Sequence, residues 1–128
     1  MSIKNIFAPI SLGELIDKIT ILDIKTHYLK GLALENVINE RTALEETLDA
    51  LDLQFEPALI QSLKKVNSDL WNIEDEIREK ERMKDFGDDF IHLARSIYKL
   101  NDHRSAIKKE INITYGSTLI EEKAYKKY

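Results

Sequence analysis

The chain contains no cysteine. This excludes disulfides, thiol catalysis and thiolate metal sites together, while the expectation of a cytoplasmic protein rests on the lack of a signal-peptide core and of a membrane span. Histidine is nearly as scarce, at three residues in 128. His92 and His103 lie eleven residues apart, about 16 Å along a helix, so they cannot share one metal ion. No metal site and no cofactor are expected. Only four glycines and two prolines are present, too few to turn the chain through the many reversals of a sheet protein. No apolar run approaches the 18 residues of a membrane span, and residues 1–9 lack an apolar core of signal-peptide length. A basic excess is missing too. The net charge is −4, and phosphate contacts, which supply most nucleic-acid affinity, need the opposite sign. Neither a nucleic acid nor a membrane is the expected partner.

Catalytic spacings are also lacking. A di-metal bundle needs two Glu-x-x-His pairs, and the one loose variant is Asp89-Phe90-Ile91-His92, where Asp89 is explained by the first-turn preference for acids. Glu76-Ile77-Arg78-Glu79 has the spacing of half a magnesium-gripping acidic motif, without the second half. There is no phosphate-binding glycine loop, no Gly-x-Ser-x-Gly elbow, and no arginine on the first helix. Gly13 and Gly87 stand alone and fit local helix geometry.

One residue in three is charged and 43% are apolar, the balance of long amphipathic helices. Ser11-Leu12-Gly13-Glu14 is a capping box, with Ile10 and Leu15 as its hydrophobic staple. It predicts a helix from Leu12 to Lys30, with Gly31 as a left-handed exit. A second helix is predicted over Leu32–Leu51. A third starts at Pro57 and keeps its apolar stripe to Met83. Asp85-Phe86-Gly87-Asp88 breaks it, and a fourth, capped by Asp88, reaches the region of Gly116. Ser117 and Thr118 suggest a short fifth helix ending near Tyr125, Thr118 and Glu121 having box spacing. The expected fold is all-α: residues 1–128 form one antiparallel helical bundle of two helical hairpins, the second long, plus a short C-terminal helix.

Projected at 100° per residue, several polar side chains fall among the aliphatic ones. Asp23 does so on the first helix, Asn67, Glu74 and Glu81 on the third, and Asn101, Arg104 and Lys108 on the fourth. With the turn centred near Phe86, Glu74 faces Tyr98 and Asn67 faces Arg104. The expectation is a network of Asn67, Glu74, Tyr98, Asn101, Arg104 and Lys108, with a Glu74–Arg104 pair at its centre and Asp23 as an extension. It is either an ion-pair network that fixes register or a pocket for a small polar or anionic ligand. Ile21, Ile24 and Tyr28 lie behind the main apolar face of the first helix. A helix apolar on two sides is covered on two sides, by Ile6 and Phe7, by the C-terminal helix or by a second subunit, and a homodimer contact is expected there. Trp71, at the edge of its stripe, is expected to anchor the third helix on its neighbours.

The run Ile10-Ser11-Leu12-Gly13-Glu14-Leu15-Ile16-Asp17-Lys18-Ile19-Thr20-Ile21-Leu22 resembles the opening of a family of small uncharacterised all-helical proteins from bacteria and their phages. Leu70-Trp71-Asn72-Ile73-Glu74-Asp75 is similar to its second motif, and Asp85-Phe86-Gly87 with Phe90-Ile91 and Leu93-Ala94-Arg95-Ser96 to its third. Asn101-Asp102 with Arg104, Lys108, Glu110-Ile111-Asn112, Gly116-Ser117 and Glu121-Glu122-Lys123-Ala124-Tyr125 complete the pattern. The resemblance implies one helical domain and carries no activity. Its motifs include Asp17, Lys18, Glu74, Asn101, Arg104 and Lys108. The function expected is that of a non-catalytic, self-associating interaction or accessory protein; the alternative is a small-molecule binder or enzyme using the polar pocket.

Overall fold

A computed structural model describes residues 2–128. Among the described residues there are four helices and no strands: α1 (Leu12–Thr26), α2 (Gly31–Asp49), α3 (Pro57–Arg82) and α4 (Asp88–Thr114). Helix α1 packs against all three others, α3 packs against α4, and α2 packs on α1. The apolar core is Leu12 and Ile16 of α1, Leu63 and Val66 of α3, and Ile107 and Ile111 of α4. Fully burying each such aliphatic side chain stabilises by about 1.5–3 kcal/mol. Phe55 and Tyr115 close one end of the core with their rings 5.1 Å apart.

The central position of α1 explains its two apolar sides. Leu12, Leu15, Ile16, Ile19 and Leu22 are buried on one flank, and Gly13, Asp17, Thr20 and Ile24 on the other. The helix ends at Thr26, short of the expected Lys30, because the chain turns at His27–Leu29. There Tyr28 packs its ring on Trp71 of α3, centroids 5.0 Å apart. Gly31 does take the left-handed conformation, φ 61°, but as the first residue of α2. Helix α2 buries only Val37 and is tied to α1 by Arg41, whose Nη1 donates to Asp23 Oδ1 at 3.1 Å.

The length of α3 and α4 matters as much as their faces. They have 26 and 27 residues against 15 in α1, so α1 spans only about 22 Å of their roughly 40 Å. Burial on α3 stops at Leu70, and from Trp71 to His92 no residue is buried.

The expected C-terminal helix is absent: residues 117–128 are irregular. Gly116, at φ 68°, ends α4, and the Ser117 amide donates back to the Asn112 carbonyl at 2.8 Å, the 6→1 bond of a Schellman motif. The Ser117 hydroxyl, which would have capped a fifth helix, accepts from the Leu12 amide at 3.1 Å and donates to the Leu119 carbonyl. The cap residue is thus used to seat α1, and the segment beyond it lies along α4.

Candidate functional site

The polar centre of the bundle is Asp17, which is 0% exposed. Helices α1 and α4 meet closely beside it. The Gly13 amide donates to Asn112 Oδ1 at 2.6 Å, and a Cβ on Gly13 would sit 2.5 Å from the Lys108 carbonyl oxygen. Gly13 is therefore a close-approach glycine, not a local accident of the helix start. That approach brings Arg104 and Lys108 within reach of the Asp17 carboxylate.

Asp17 Oδ1 accepts from Arg104 Nε and from Asn67 Nδ2, each at 2.9 Å. Oδ2 accepts from Arg104 Nη2, and Lys108 Nζ lies 3.7 Å away. Asn67 also donates to Thr20 Oγ1 at 2.8 Å, and that hydroxyl donates to the Asp17 carbonyl. Lys108, itself buried, is held by Glu14 at 2.5 Å and approached by Glu121 at 3.6 Å. Glu14 thus makes half of the expected capping box: its amide is capped by Ser11 Oγ at 3.2 Å, while its carboxylate reaches across to α4.

Burial pushes the Asp17 carboxyl up. The hydrogen bonds from Arg104 and Asn67, with the charges of Arg104 and Lys108, outweigh burial and hold it below the usual carboxylate range. The hydrogen bond to Asp17 raises Arg104 further above its already high value. Both are ionised at neutral pH, so the centre is a bidentate ion pair with an amide and a second cation around it.

Of the residues expected to meet, Asn67, Asn101, Arg104 and Lys108 do. Asn101 Oδ1 accepts from Arg104 Nη1 at a long 3.5 Å. Glu74 does not join them: it is exposed, and Asp17 takes its place as the partner of Arg104. Its angle on α3 was right but its height was not, since it lies a turn beyond Leu70, where α1 no longer covers the face. Glu81 is exposed for the same reason, and Asp23 pairs with Arg41 instead. The helical projection passed over Asp17, Glu14, Thr20 and Asn112 as network members, although Asp17 and Asn112 stand in the motifs of the resemblance. The available signal was a second stripe on α1, Gly13, Asp17, Thr20 and Ile24, at helical spacing but made mostly of small and polar residues.

Tyr98 faces a different feature. The segment Lys123–Tyr128 lies over α4 and forms with it a half-open cavity of about 650 Å³, lined among others by Tyr98, Asn101, Arg104, Lys108 and Tyr128. Tyr98 and Tyr128 meet edge to face with centroids 5.0 Å apart. A hydrogen bond to the Asp102 carboxylate raises the Tyr128 phenol above its ordinary value. Ile24 is buried within the chain and Ile21 is half-buried, while Tyr28 rests on Trp71 and remains 54% exposed. Among the described residues, no group of three or more His, Asp or Glu is placed to hold a metal ion, and no helix is long and apolar enough to cross a membrane.

Fold and site together define an all-helical protein organised around a buried carboxylate–guanidinium pair. Residues 6–128 match a family of unknown function, DUF6165, and the chain belongs to that family. No curated protein and no solved structure matches it.

Proposed function

We propose that the chain is a non-catalytic helical interaction protein that self-associates by exchanging its N-terminal arm with a second copy. Every member of the Asp17 network has a partner within the chain, which suits an element that fixes helix register better than a reaction centre. In this reading α1–α2 and α3–α4 are two antiparallel hairpins, and the longer one offers the surface that the arm of the second copy covers.

The observation that carries the reading is a pair of unpartnered apolar surfaces. In the extended arm, Ile3, Ile6 and Phe7 are 82%, 83% and 88% exposed. At the far end of α3 and α4, Met83, Phe86 and Ile91 are exposed, and Ile73, Ile77, Phe90 and Ile97 are half-buried. Exposed apolar side chains gathered at one end of a helix pair, with Phe86 and Phe90 in ring contact, are the kind of surface that marks interaction sites. The arm cannot reach the far part of that surface, Met83, Phe86, Phe90 and Ile91, in its own chain. It leaves the bundle at Ser11, beside Asn112 and Ser117. Phe7 lies four residues and Ile3 eight residues before Ser11, at most about 14 and 28 Å even fully extended. The other end of α4, at Asp88, is about 36 Å from Asn112.

Charge points the same way. Between Glu74 and Asp89 eight acids face four bases, whereas residues 2–13 carry Lys4 and no acid. An exchange of arms between two copies is reciprocal and closes, as a two-fold dimer requires. The test is sedimentation velocity at micromolar concentration on the parent and on Phe7→Asp. The proposal expects a dimeric parent and a folded, monomeric variant whose melting temperature, unlike the parent's, does not depend on protein concentration. A monomeric parent, or a variant as dimeric as the parent, overturns it.

A further inference from the structure

From a separate part of the molecule, we infer that the cavity between α4 and the C-terminal segment binds a mononucleotide-sized molecule, a flat ring carrying one phosphate. Its volume of about 650 Å³ falls within the range of small-molecule sites, about 300–1,000 Å³.

The lining combines aromatic rings with cations. Tyr98 and Tyr128 are 42% and 76% exposed despite their mutual contact, leaving ring area for a third ring to pack against. Four cations, Arg104, Lys108, Lys123 and Lys126, line the same cavity, and two of them are already answered. Lys108 is held by Glu14, Asp17 and Glu121, and Lys123 by Glu121 at 3.2 Å. Two remain available. Lys126 has no ion-pair partner among the described residues. Arg104 uses Nε and Nη2 on Asp17, while Nη1 has only the long contact to Asn101. Asp17 therefore grips the guanidinium from one edge and fixes it in place, and a fixed guanidinium loses less freedom when its free edge meets a phosphate.

The balance of charge sets the size of the anion. One open lysine and one open guanidinium edge match a single phosphate. A triphosphate would bring further charge against Asp102, which lines the same cavity, and against Glu121. Asp102 and Asn101 can instead accept from ring N–H groups or sugar hydroxyls.

Calorimetric titration of the full chain tests this with AMP and CMP, against adenosine, inorganic phosphate and ATP as separate probes. The inference expects saturable binding of at least one monophosphate, about tenfold or more tighter than adenosine, phosphate or ATP. Lys126→Glu and Tyr128→Ala, both exposed positions, should each weaken it about tenfold or more without moving the melting temperature, and Phe7→Asp should leave it unchanged. Absence of saturable monophosphate binding at millimolar concentration, equal binding of phosphate alone, or undiminished binding by both cavity variants overturns it.

Discussion

Asp17 of α1 and Arg104 of α4, 87 residues apart in the chain, meet through two parallel hydrogen bonds at a point where the carboxylate has no contact with solvent. The pair is anchored from α3 by Asn67 and flanked by Lys108. Three helices are thereby set in register by one side chain, and the arrangement is sensitive to the loss of its charge.

Asp17→Asn keeps the shape but leaves Arg104 and Lys108 without their shared counter-charge. Breaking such a pair from one side costs about 3–5 kcal/mol, a large share of the roughly 5–15 kcal/mol that holds a domain of this size together. Thermal melts should show a fall of the order of 10 °C or more. Glu74→Gln, at the exposed position, should melt as the parent does, within about 0.5 kcal/mol.

The same pair makes stability fall in acid. The folded carboxyl of Asp17 titrates below its ordinary value, so its contribution is complete at pH values above the unfolded pKa of about 3.9. It is lost as the pH drops through the folded pKa. Melting temperature measured from pH 7 to pH 2 should therefore decline below about pH 4 more steeply in the parent than in Asp17→Asn, which has no proton to take up there. Parallel curves would remove Asp17 from the account of acid stability.

Gly13→Ala should destabilise although alanine is the better helix former. The propensity gain is at most about 1 kcal/mol. Against it stands a Cβ placed 2.5 Å from the Lys108 carbonyl oxygen and 3.1 Å from Asn112 Oδ1. Backbone cannot rotate aside, so α1 and α4 must separate, and overpacking of this kind costs about 1–3 kcal/mol. A lower urea midpoint with an unchanged slope is the expected result; a higher midpoint would mean that the helices do not approach as described.

Much of the fold is legible in the sequence because helix signals are local. The Ser11 cap, Pro57 at the start of α3 and Gly116 after α4 each act within one turn, and periodicity supplies the rest. The helical wheel also placed Asn67, Arg104 and Lys108 correctly, since each lies at a height where a third helix covers its face. It failed for Glu74 because a wheel records angle and not height. It overlooked Asp17 because the second buried stripe of α1 is marked by a glycine, an acid and a threonine rather than by aliphatic residues. The C-terminal helix failed for a tertiary reason: Ser117 caps the start of α1, a partner 105 residues away that no local motif reveals.

Arm exchange is the central claim, and the absence of cysteine makes its most direct measurement simple. Asn5→Cys is labelled with a donor dye in one batch, and Asp89→Cys with an acceptor in another; both positions are exposed. The batches are mixed at micromolar concentration and left to exchange. The account predicts efficient energy transfer between chains, lost on dilution and lost when the donor chain also carries Phe7→Asp. Absence of transfer in the mixture, or transfer that survives Phe7→Asp, would contradict it.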